Sequence, residues 1–113
     1  MLLVCLAVLA QAPRLISTAE VGSLLAQGDS SVSVIDVRDD FTRYLESHIP
    51  RAVYLHAEEL RAAERSVPNK LLGLVSYTAL FSRLGLGPGR PVVIYSAGEM
   101  RDIDATYLAW ILE

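Results

Sequence analysis

The stretch Pro91-Val92-Val93-Ile94-Tyr95, followed at once by Ser96-Ala97-Gly98-Glu99-Met100-Arg101, decides how this chain is read. A clear hydrophobic strand runs straight into a short turn, and Arg101 to Leu112 then carries a helical pattern. Ile103, Tyr107, Trp110 and Ile111 are the residues expected to face inward from that helix. In open parallel sheets, ligands collect beyond the carboxyl ends of the strands. A turn there can gather backbone N–H groups at a helix N-terminus, and Arg101 can add a fixed positive charge. Such turns are common, however, and most bind nothing.

Working outward, the preceding sequence alternates short strands and helices. Ser17-Thr18-Ala19-Glu20 has capping-box form, and Val21, Leu24 and Leu25 follow on one face before Gly28 stops the helix. Ser31 to Val37 becomes continuously apolar, as a buried strand does, and Asp36, Arg38, Asp39 and Asp40 cluster at its end. A short helix over 40–46 is expected to turn Phe41, Tyr44 and Leu45 inward, and Pro50 ends it by restricting Ile49. Ala52 to Leu55 reads as a strand, Glu58 to Arg65 as a helix, and Val67 to Ser76 as irregular with Ser76 as N-cap. Tyr77 to Leu84 reads as a helix burying Leu80, Phe81 and Leu84. Strands alternating with helices predict an α/β domain with a mostly parallel sheet.

Bulk properties remove several functions. With 113 residues there is room for one domain, and the net charge of −3 with scattered basic residues argues against nucleic-acid binding. The single cysteine, Cys5, excludes an intrachain disulfide and a cysteine-based zinc site, and no metal site or cofactor is predicted. His48 and His56 lack metal-ligand spacing, and His56 reads as a loop or surface residue.

Residues 1–12 (MLLVCLAVLAQA) form an apolar leader, too short to span a bilayer, ending in the A-x-A pattern Ala10-Gln11-Ala12. One reading is a truncated signal peptide, which implies a periplasmic or secreted protein. The other is a buried N-terminal strand or helix, compatible with a cytoplasmic one. Residues 13–113 are then the domain, incomplete at its C-terminus, because a doubly wound domain usually returns from its last helix to another strand.

From Leu15 onward, the order of motifs resembles the rhodanese homology domain. The matching pieces are Leu15-Ile16-Ser17-Thr18, Val34-Ile35-Asp36-Val37-Arg38, Tyr44, His48-Ile49-Pro50 with Ala52, and the strand ending at Tyr95. The segment Leu80 to Tyr95 and the helix with Tyr107, Leu108, Ala109 and Trp110 are most similar to the N-terminal halves of tandem thiosulfate sulfurtransferases. The resemblance implies a three-layer fold with a closing strand absent here, and a six-residue active-site-like loop, Ser96 to Arg101.

In that family the loop opens with a cysteine whose thiolate carries sulfane sulfur as a persulfide. Converging N–H groups lower a thiol's pKa enough for this, whereas a serine hydroxyl needs a base, and oxygen cannot form the persulfide. Ser96 at that position predicts a segment without a catalytic residue. It would serve as the structural half of a tandem transferase, partnered by a second rhodanese domain in the parent chain. A stand-alone binding or regulatory module for a partner or a small sulfur-containing anion is the alternative. Glu99 would oppose an anionic donor. Asp36 and Arg38 are expected to pair structurally near the site. Ser47 and Arg51 stand where the family often has glycine.

Overall fold

A computed structural model describes residues 4–8, 11–28, 31–97 and 102–113. Its centre is three parallel strands: β3 (Ser33–Asp36), β4 (Ala52–Tyr54) and β7 (Val92–Tyr95), with β3 between the other two. Ile35 and Ile94 are in register, as are Asp36 and Tyr95. Because strand side chains alternate, the two members of each pair share a face. Ile35, Val92 and Ile94 pack with Leu80 of helix α3 (Leu74–Arg83) and with Ala105, Leu108 and Ala109 of helix α4 (Asp102–Leu112). Val34, Val93, Tyr95 and Ala52 meet Val21 of helix α1 (Thr18–Ala26) and Tyr44 of helix α2 (Phe41–Glu46) on the other face. The result is a three-layer α/β domain. Each fully buried Val or Ile in these layers contributes about 1.5–3 kcal/mol.

Local sequence chemistry forms these elements as expected in several places. The Ser17 hydroxyl accepts from the Glu20 N–H at 3.1 Å while the Glu20 carboxylate accepts from the Ser17 N–H at 2.9 Å, closing the capping box. Gly28 adopts φ +122°, a conformation side chains rarely tolerate, and the helix ends just before it.

The N-terminal segment enlarges the parallel core. Strand β1 (Val4–Val8) runs antiparallel along β7, and strand β2 (Gln11–Leu15) folds back antiparallel on β1, giving the order β2-β1-β7-β3-β4. The run that also reads as a leader is thus folded here as a strand, and α4 packs across both β1 and β7. Among the described residues, parallel pairing is confined to β7, β3 and β4, and β1 occupies the other flank of β7.

Other expectations fail. Glu58 to Arg65 is not a helix: a 3₁₀ turn over Ala57–Leu60 leads into strand β5 (Arg61–Glu64). Strand β5 pairs with strand β6 (Val67–Leu71), in a segment expected to be irregular. The turn between them places Arg65 and Ser66 at φ 49° and 65°. That turn is a left-handed hairpin connection without the Asn-Gly signal that usually announces one. Helix α3 starts at Leu74 behind Gly73, so Ser76 lies inside it rather than capping it. Phe41, Leu45, Ile103 and Trp110 were expected inward but are at least half exposed. Short Ala105, Leu108 and Ala109 form the inner stripe of α4 instead.

Candidate functional site

The carboxyl ends of β3 and β7 carry the buried polar groups of the domain. Asp36 and Ser96 are the buried polar residues among those described, each fully excluded from solvent. Asp36 ends β3, and Ser96 follows β7 directly. The backbone ladder continues past them, with the Val37 N–H donating to the Tyr95 carbonyl at 3.0 Å and the Leu55 N–H to the Asp36 carbonyl at 2.9 Å.

The Asp36 carboxylate is saturated with donors. Its Oδ1 accepts from the Arg38 backbone N–H at 2.9 Å and from Arg38 Nε at 3.1 Å. Its Oδ2 accepts from Arg38 Nη2 at 2.6 Å, from Arg38 Nε at 3.0 Å and from the Tyr95 hydroxyl at 2.9 Å. The two-pronged approach of a guanidinium to a carboxylate is the strong form of an ion pair. The hydrogen bond to Asp36 is the main cause that raises the Arg38 pKa.

Arg38 does more than neutralise Asp36. Its Nη2 also donates to the Ser47 carbonyl at 2.7 Å, and the guanidinium lies 5.5 Å from the centre of the Tyr95 ring. Tyr95 in turn accepts at its hydroxyl from the Ile49 N–H at 3.1 Å. Burial foremost, with the bond to Asp36 adding to it, pushes the Tyr95 phenol up to about 12. Asp36, Arg38 and Tyr95 therefore tie the ends of β3 and β7 to the 47–50 turn.

The 47–50 turn is fastened from its other side too. The His48 ring stacks on Tyr44 at 4.0 Å and its Nδ1 donates to the Tyr44 carbonyl at 2.7 Å. The Tyr44 hydroxyl donates to the Ala52 carbonyl at 2.9 Å. Arg51 has φ 67°, the left-handed region that favours glycine, which explains physically why a glycine would suit its position. Its guanidinium donates to the carbonyls of Leu25 and Gly28 at 2.8 and 2.6 Å, covering the end of α1.

Of the six residues of the site-like loop, Ser96 and Ala97 are described. Gly98, Glu99, Met100 and Arg101 lie outside the described residues. The pairing of Asp36 with Arg38 is present. Sequence reasoning missed Tyr95, which it read as strand only. A phenol at the last position of a buried strand is the signal that could have found it, since a buried hydroxyl must find a partner. The Cys5 backbone pairs with Ile94, two residues before Ser96. His56, expected on a loop, caps the 3₁₀ turn by accepting from the Glu58 N–H at 3.2 Å.

Among the described residues, no three His, Cys, Asp or Glu side chains gather as metal ligands. No described helix is long and apolar enough to cross a membrane.

A protein of Synechococcus elongatus named "Putative thiosulfate sulfurtransferase" is 28% identical over 85 residues, which are 75% of this chain and 26% of that protein. The chain thus spans about a quarter of the length of that curated relative. No solved structure matches it. The sequence matches the Rhodanese-like domain family over residues 17–113, covering every element from α1 to α4. With that match on a three-layer domain whose buried polar groups sit at the carboxyl ends of β3 and β7, the chain belongs to the rhodanese-like domain family.

Proposed function

We propose that this domain is the non-catalytic, structural half of a tandem sulfurtransferase, with a second rhodanese domain elsewhere in the parent protein carrying the sulfur. The observation that carries this reading is Ser96, a fully buried hydroxyl immediately after β7, where the family's loop begins with a thiol. A thiolate would attack the outer sulfur of thiosulfate, forming a new S–S bond while sulfite leaves with the electrons of the old one. Serine oxygen has no such path. The named relative is called "Putative thiosulfate sulfurtransferase", and its length, about four times the matched segment, leaves room for a second domain. The alternative, a stand-alone binding or regulatory module for a small sulfur-containing anion, rests on the same loop.

The test uses Cys5→Ser throughout, so that no thiol other than one installed at position 96 can react. With thiosulfate, Cys5→Ser is expected to gain no mass, and Cys5→Ser/Ser96→Cys to gain one sulfur atom that cyanide then removes. Sulfane sulfur transfer by the Cys5→Ser protein would refute the non-catalytic reading. Failure of a folded Ser96→Cys variant to take up sulfur from any donor would refute the loop assignment. In the parent protein, sulfur transfer that survives Ser96→Ala and is lost when a cysteine outside this domain is replaced is expected. A parent protein with no other rhodanese domain would favour the binding module. A leader function for residues 1–12 remains part of the proposal for export, tested by the N-terminal residue of the mature protein.

A further inference from the structure

The most exposed apolar surface lies around Leu74 and Val75 at the start of α3, with Val67 and Leu71 nearby in sequence. In the adjoining hairpin Lys70 and Glu64 pair with each other at 3.4 Å. A second surface lies on α2, where Phe41 is 50% and Leu45 66% exposed, and their spacing of one turn puts them on the same stripe. The Phe41 ring rests against Tyr54 of β4 at 5.0 Å and Tyr44 at 5.7 Å, so the stripe continues from the helix onto the sheet.

This second surface is acidic at its rim. Asp39, Asp40 and Glu59 are exposed, and after burial and Asp36 it is their negative charge that raises the Tyr54 pKa. Tyr54 is in register with Asp36, and Asp36 with Tyr95. Two strand spacings, about 10 Å, therefore separate the patch from the strand that delivers Ser96. Aromatic anchors at the centre with charge around them are the composition of a recognition surface rather than of an indifferent one.

We propose that the Phe41–Leu45–Tyr54 face docks a segment of a protein partner in which apolar side chains alternate with lysine or arginine. The apolar side chains cover Phe41 and Leu45, and the basic ones meet Asp39, Asp40 and Glu59. Complementary charge selects the partner and sets its rate of approach. The proposal stands apart from the sulfur-transfer reading and does not depend on Ser96.

A fluorescent amphipathic Leu–Lys helical peptide, titrated into the intact 113-residue chain at physiological salt, tests this. Saturable binding is expected, weakened about tenfold or more by Phe41→Ser/Leu45→Ser, since central anchors dominate such interfaces. Asp40→Asn/Glu59→Gln, which keeps the apolar stripe, is expected to weaken binding and flatten its salt dependence. Leu74→Ser/Val75→Ser is expected to change nothing. The proposal is overturned by absence of saturable binding, by equal binding of a Leu–Glu peptide, or by equal affinity in the four proteins. It is also overturned if sedimentation shows that Phe41 and Leu45 mediate pairing of two copies of the chain.

Discussion

Tyr95 donates its phenolic hydrogen to Asp36 at 2.9 Å across a separation of 59 residues, and both groups are sealed from water. Removing the hydroxyl by Tyr95→Phe leaves the Ile49 N–H without its acceptor and Asp36 with one donor fewer. The expected loss is about 1–3 kcal/mol, measured by denaturant unfolding. The pH dependence has a definite sign. Folding raises this phenol from its ordinary 10 to about 12, so its contribution is complete below pH 10 and disappears as pH climbs through about 12. Two pH units correspond to about 3 kcal/mol. Tyr95→Phe is expected to remove that part of the alkaline destabilisation, and an unchanged alkaline limb would contradict it.

Among the described residues, Arg38 is the cation paired with the Asp36 carboxylate, which has no solvent exposure. Arg38→Ala leaves a buried charge uncompensated, which typically costs about 3–5 kcal/mol. Thermal unfolding is expected to show the drop, and Asp36→Asn/Arg38→Ala together are expected to cost less than the sum of the two single changes.

Arg51 combines an unfavourable backbone with useful bonds, so two substitutions separate the effects. Arg51→Ala keeps φ 67° and loses the bonds to Leu25 and Gly28. Arg51→Gly loses the same bonds but relieves the backbone by about 1 kcal/mol. The glycine variant is expected to be the more stable of the two by that margin in parallel melts.

The Tyr54 hydroxyl is buried and has no hydrogen-bond partner among the described residues. Burying such a group costs free energy, so Tyr54→Phe is expected to leave the melting temperature unchanged or raise it, unlike the equivalent change at Tyr95. A drop comparable to that of Tyr95→Phe would show that the hydroxyl has a partner.

These contrasts mark what the sequence revealed. The capping box at Ser17, the strands ending at Asp36 and Tyr95, and the pairing of Asp36 with Arg38 were legible, because each depends on neighbours within a few residues or on unbroken apolar runs. The β5–β6 hairpin was not. Ala62, Ala63 and Glu64 are helix-forming by composition, and Arg65 and Ser66 turn the chain with positive φ without a glycine. Inward faces were misjudged where size was taken as a guide. Trp110 stays out and Ala105 goes in, because the stripe of α4 that packs on the sheet is Ala105, Leu108 and Ala109, and Trp110 lies off it. The role of Tyr95 was hidden because its partners, Asp36 and Ile49, are distant in the chain.

The pairing of β1 with β7 joins Val4–Ala7 to Val92–Tyr95, segments far apart in the chain. During synthesis, at about 5–20 residues per second, Val4–Val8 leaves the ribosome several seconds before Val92–Tyr95 exists to receive it. Throughout that interval the apolar β1 segment can pair with β2 but lacks its other neighbour, β7. The time for which that edge stands open is set by the order of translation rather than by the finished sheet.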